Sequence, residues 1–84
     1  NIYIMGQILY VRKKVDTKFL EDFGFNLKKV RIQKGITQAQ LAIDCDVDVS
    51  VISRIERGVV NTSLSNIKTI AISLDVDIKN LFDF

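Results

Sequence analysis

The sequence predicts an all-α fold, a small bundle of five helices preceded by an apolar N-terminal arm. Three observations carry this. The 84 residues include no proline and only four glycines, which favours helices over a sandwich of short strands. Apolar residues recur at spacings of three and four through most of the chain, the period of a half-buried helix. The apolar stripes are punctuated by hydroxyl or carboxylate residues at their starts and by glycine at two of their ends, the residues that begin and stop helices.

Residues 1–16 read as the arm and residues 17–84 as the folded domain. The stretch NIYIMGQILYV is rich in β-branched and aromatic types and predicts a strand, or two short strands around Gly6. The basic run at 12–14 and Asp16 end that apolar segment. From about Thr17 to Lys34, Phe19, Leu20, Phe23, Leu27, Val30 and Ile32 give an amphipathic helix. Gly24 lies inside it and costs up to ~1 kcal/mol against alanine, which points to a kink or a close packing contact. Gly35 stands in the position of a left-handed cap. Thr37 and Gln40 form a capping box, with Leu41, Ala42 and Cys45 directed inward from the helix that follows. Asp48 caps a third helix with Val51, Ile52 and Ile55 inward, closed by Gly58. Ser63 caps a fourth, with Leu64, Ile67, Ile70, Ala71 and Leu74 on one stripe, and Asp77 caps a last short turn bearing Ile78, Leu81 and Phe82.

Composition narrows the function. One domain with one core is expected at this length. The net charge is +2, but it is unevenly spread. Residues 1–34 hold eight of the twelve basic side chains against three acids, whereas residues 35–84 hold four against seven. A basic first half suits phosphate tracking, and equally an exposed, solvated helix face. Cys45 is the only cysteine and there is no histidine, so an internal disulfide, a four-ligand zinc site and histidine-based catalysis are excluded. No metal and no cofactor are expected, and no enzyme, since no nucleophile stands beside a base and no glycine loop is built for phosphate. No apolar run reaches the ~18 residues of a membrane span, and the apolar start lacks the pattern of a signal peptide. A cytoplasmic protein without membrane contact is expected.

The central motif is a helix-turn-helix over residues 37–58. Crossing two helices near a right angle requires a small side chain at the contact, which Ala42 supplies. Asp46 occupies the turn, and Ile52 packs the second helix on the first, with Leu41 and Ile55 completing the clamp. This arrangement frees the outer face of residues 49–57 to lie in a major groove.

The segments KGITQAQLA (34–42) and ISRIERG (52–58), followed by NTSL (61–64) and LDVD (74–77), resemble the Xre family of phage-repressor-like, Cro/repressor-type helix-turn-helix domains. The resemblance covers roughly residues 23–84, and ISRIERG is its most specific part. It implies a compact repressor-like five-helix bundle. The family usually has glycine where Asp46 and Asp75 stand, and often proline in place of Thr62. Aspartate is one of the few other residues that tolerates positive φ.

By the family match, Val49, Ser50 and Arg54, with Ser53 beside them, are the residues that reach base edges. Arg54 can pair with guanine O6 and N7 together, a contact that discriminates by roughly 1–3 kcal/mol. Gln38 is placed at a phosphate at the start of the preceding helix, bracing the recognition helix. Arg57 and Asn61 are placed at phosphates beyond its end. The resemblance further implies that Arg31 and Glu56 pair with each other, tying the first long helix to the recognition helix. Cys45 reads as a small apolar core group.

One recognition helix reads only a few base pairs, so a homodimer on double-stranded DNA is expected. Two surfaces are candidates for its interface: the region Leu74–Phe84, where Phe82 and Phe84 exceed what a small core absorbs, and the apolar arm Ile2–Val11. The expected function is a sequence-specific transcriptional regulator, a repressor on a palindromic operator. Controller proteins of restriction–modification systems, antitoxins and DNA-free interaction modules share such domains, and Asp44, Asp46 and Asp48 keep the last alternative open.

Overall fold

Four α-helices and a terminal 3-10 helix make up the computed structural model: α1 (Ile2–Gln33), α2 (Gln38–Asp44), α3 (Val49–Arg57), α4 (Leu64–Ser73) and the 3-10 helix Ile78–Phe82. The structure describes the backbone of residues 2–84 and the side chains of residues 4–8 and 16–84. Among these residues there is no strand, no helix long and apolar enough to cross a membrane, and no cluster of acids and cysteine that could hold a metal ion.

Local chemistry sets the helix boundaries. Thr37 Oγ1 accepts from Gln40 N at 3.1 Å while Gln40 Oε1 accepts from Thr37 N at 2.8 Å, so the expected capping box is formed in both directions. Asp48 accepts from Ser50 N at 2.8 Å and Ser63 Oγ from Asn66 N at 3.1 Å. Asp77 stands at the start of the 3-10 helix without a side-chain cap bond. Gly58 ends α3 in the left-handed region at φ 73°, where only glycine is free of strain. Asp46 and Asp75 also take positive φ, 55° and 56°, at the two places where the resembling family uses glycine.

Phe23, Leu27, Leu41, Ala42, Ile52, Ile55, Ile67, Ile70, Ala71, Leu74 and Leu81 form the core, so every helix contributes to it. Cys45 lies at its edge, with Sγ 3.4 Å from Ser73 Oγ. Two contacts bind α1 to the rest at backbone range. A Cβ on Gly24 would meet the carbonyl oxygens of Ile55 and Glu56, and one on Gly58 would meet the Glu21 backbone at 2.5–2.6 Å. Gly24 therefore serves a close helix–helix crossing. Asn26 is buried too, and its Nδ2 donates to the carbonyls of Asn80 (3.0 Å) and Leu81 (2.9 Å), fastening the 3-10 helix to α1.

Three expectations need correction. The arm is not a strand: α1 is helical from Ile2 and runs without interruption past Thr17. A helix satisfies its backbone groups internally, whereas a strand needs a neighbour, and residues 16–84 contain no strand to pair with. The β preference of Ile, Tyr and Val is a preference for half-buried sheet surfaces, and yields when no sheet exists. Leu64 does not join the α4 stripe. It is the first residue of that helix and 77% exposed, outside the layer made by Ile67, Ile70, Ala71 and Leu74. Ile32, at the end of α1, is exposed as well.

Candidate nucleic-acid interface

At ~100° per residue, Val49, Ser50, Ser53, Arg54 and Arg57 fall within one continuous arc of about 140° on α3. Ile52 and Ile55 lie toward the opposite side and Glu56 at the edge of the arc beside Val49, and all three are buried. The helix thus separates into a packed face and an outward face. Val49, Arg54 and Arg57 are exposed; Ser50 and Ser53 are half-buried. Val49 is an apolar residue held 44% exposed at the first turn, where no core neighbour requires it. Arg57 Nε donates to Ser53 O at 3.4 Å, lying back along the helix, and Arg54 is exposed on the outward arc. Asn61 is exposed in the loop between α3 and α4, apart from this arc.

The packed face of α3 is held by a buried polar cluster. Arg31 Nε and Nη2 donate to Glu56 Oε2 (2.6 Å) and Oε1 (3.0 Å), a two-pronged pair in which both side chains are almost fully buried. Arg31 Nη1 donates to Ile36 O at 2.8 Å. The third member is Gln38, whose Nε2 donates to Glu56 Oε1 at 3.0 Å. Glu56 therefore receives donors from both α1 and α2, and fixes the Gln38 amide at the first residue of α2. The hydrogen bonds to Glu56 push the Arg31 pKa above its ordinary value, against an opposing effect of burial. Because the folded-state pKa is raised, this contribution to stability is complete at neutral pH and would fade only as pH rises through that pKa, beyond the biological range.

Asp48 is the titrating group beside the outward arc. The backbone N–H of Ser50, then its hydroxyl, then the charge of Arg54 hold the Asp48 carboxyl below the usual carboxylate range. A depressed folded pKa contributes stability above the ordinary aspartate value and loses it as pH falls through the folded one. Asp48→Asn keeps the capping oxygen but not the titration. The unfolding midpoints of wild type and Asp48→Asn should therefore draw together in acid; equal separation at pH 7 and pH 3 would contradict this.

The structure thus gathers Val49, Ser50, Ser53, Arg54 and Arg57 on one face, links Gln38 to that helix through Glu56, and leaves Asn61 in the following loop. Asn26 was not foreseen as a positioning residue. Its signal was present, since it is a polar residue inside the apolar stripe of Phe23, Leu27 and Val30.

Residues 27–81 match the helix-turn-helix family profile. The control protein C.BamHI of Bacillus amyloliquefaciens is 43% identical over 63 residues, covering 74% of this chain and 78% of that protein. The HTH-type transcriptional regulator SlrR of Bacillus subtilis is 38% identical over 58 residues, covering 68% of this chain and 38% of that protein. The crystal structure of the restriction-modification controller protein C.AhdI from Aeromonas hydrophila superposes with a TM-score of 0.73 at 40% identity, covering 75% of this chain and 96% of that one. With its outward α3 face, its capped corner and these matches, the chain belongs to the helix-turn-helix family of DNA-binding transcriptional regulators.

Proposed function

We propose that this regulator binds a palindromic operator as a homodimer, inserting α3 into the major groove, and acts as a repressor of the restriction–modification controller type. The carrying observation is the outward arc of α3, where Val49, Arg54 and Arg57 are exposed and Ser50 and Ser53 half-buried, while Ile52, Ile55 and Glu56 are buried. Arg54 reads guanine through its planar fork, Val49 meets a thymine methyl, and Ser50 and Ser53 donate to bases or phosphates. Gln38, Arg57 and Asn61 contact the phosphate backbone and set the register. The Arg31–Glu56 pair keeps α3 seated against α1 and has no direct role in reading. The controller assignment is supported by the two relatives bearing that name and by their coverage of three quarters of this chain. The protein works where its DNA is, in the cytoplasm.

The test is selection of duplexes from a random pool, followed by binding at two salt concentrations. Arg54→Ala should relax preference at one position per half-site by ~1–3 kcal/mol, about 5- to 150-fold. Gln38→Ala should weaken all sites by a similar factor without changing the selected sequence. Failure to enrich any sequence at low salt would overturn the reading in favour of an interaction module.

A further inference from the structure

A groove of about 830 Å³ runs between α1 and residues 72–83. That volume lies within the ~300–1,000 Å³ of small-ligand sites. At ~100° per residue, Asn26 stands roughly 140–160° round α1 from Arg31 and Gly24, which face α3, so the groove opens away from the DNA-reading arc. Its two walls carry opposite charge. Lys29 and Lys34 stand on α1, and Asp75, Asp77 and Asp83 on the facing segment. Among the described residues no ion pair joins these walls, and Lys34 Nζ reaches the Asp75 carbonyl instead, at 3.4 Å. Asp77 does not spend its carboxylate on capping the 3-10 helix that it starts. The floor adds a third feature. Asn26 is 6% exposed and spans the junction of the walls, both amide hydrogens going to the carbonyls of Asn80 and Leu81. Its Oδ1 accepts from no donor among the described residues, and none of their unpartnered side-chain oxygens is sealed from solvent. This oxygen therefore opens to the groove that Asn26 lines.

We propose that this groove binds a short peptide with free ends. Its ammonium lies on the aspartate wall, its carboxylate against Lys29 and Lys34, and a peptide N–H between them donates to Asn26 Oδ1. Each part of the ligand answers one observation. Carboxylates recognise a cation and ammonium groups an anion, and here the two signs face each other without pairing, so one molecule carrying both charges serves both walls. A ligand of a single charge would be drawn to one wall and repelled by the other. The floor offers an acceptor, which requires a donor placed between the charged ends. A peptide N–H is such a donor, and a single amino acid has none there. The Asn26 amide is held by two bonds and nearly buried, so its oxygen is oriented before the ligand arrives. The charged heads are exposed, which makes each end contact weak and the expected affinity modest. The site is separate from the α3 arc and does not rest on the operator reading above.

The test titrates trialanine into the isotope-labelled full chain and follows the Asn26 side-chain amide by nuclear magnetic resonance. A saturable shift is expected, with a Kd of about 1 mM or below. N-acetyl-trialanine and trialanine amide, each lacking one charged end, should bind about 5-fold more weakly. Two variants then orient the peptide. Asp77→Asn/Asp83→Asn and Lys29→Gln/Lys34→Gln alter exposed side chains and should leave the circular dichroism unchanged. The first should no longer distinguish trialanine from its acetylated form, and the second should no longer distinguish it from its amide. Absence of a saturable shift below about 10 mM peptide overturns the proposal. So does binding that ignores acetylation and amidation, or that both variants retain at full strength, since the peptide then sits elsewhere. Groove signals that move with protein concentration and not with peptide place a second copy there, and also overturn it.

Discussion

Replacing Glu56 by alanine lowers the stability of the domain by about 3–5 kcal/mol, the loss expected when one member of a buried ion pair is removed. The reason is what remains. Arg31 would keep its bond to Ile36 O but lose both carboxylate contacts, leaving a guanidinium whose side chain is only 9% exposed without a counter-charge. A domain of this size holds roughly 0.05–0.15 kcal/mol of stability per residue, so the loss is a large part of the total. The melting temperature should fall by tens of degrees at ~4–8 °C per kcal/mol. Two controls separate geometry from charge. Glu56→Gln retains acceptor and shape but not the charge, and should lie between wild type and Glu56→Ala. The double variant Arg31→Met/Glu56→Leu removes both charges and should be more stable than Glu56→Ala alone, since an apolar replacement of a buried pair is often neutral. Urea denaturation gives all four values; a loss below about 1 kcal/mol for Glu56→Ala would show that the pair does not hold α3 in place.

Gly24→Ala is the second large effect, and it runs against helix propensity. An exposed helical glycine gains up to ~1 kcal/mol on becoming alanine. At Gly24 the new methyl would sit against the carbonyl oxygens of Ile55 and Glu56, which are backbone atoms that no rotamer change can move. Either α1 and α3 separate or both bend, at a cost of about 1–3 kcal/mol or more, as for other overpacked cores. Because α3 carries the outward arc, the shift should also weaken binding to the selected operator more than the stability loss alone explains. Gly6→Ala is the control, since a Cβ there meets nothing within 4 Å, and it should be neutral or stabilising. If Gly24→Ala and Gly6→Ala behave alike in thermal unfolding, the close crossing does not exist in solution.

These two residues show how far the sequence could be read. Glu56 stood out by its place in ISRIERG, and its expected partner Arg31 lies against it. The resemblance implied that Gln38 braces the recognition helix, but not that it does so through the same carboxylate, a contact that exists only once three helices have met. Gly24 was recognised as costly, but its reason lies in another helix 31 or 32 residues away in sequence, at the carbonyls of Ile55 and Glu56.

What the sequence determined by itself is local. The caps at Thr37, Asp48 and Ser63, the left-handed stop at Gly58, the positive φ of Asp46 and Asp75 and the core stripe positions Ile52, Ile55, Ile67, Ile70 and Leu74 depend on near neighbours and on helical period. Tertiary structure decided the rest. It made the apolar N-terminus a continuation of α1, since a strand has no partner in this fold. It left Leu64 outside the core, set Asn26 against the 3-10 helix, and joined Arg31, Glu56 and Gln38 into one cluster. Period and capping are properties of a segment, whereas burial and polar pairing belong to the space between segments, and that space exists only once the helices have packed.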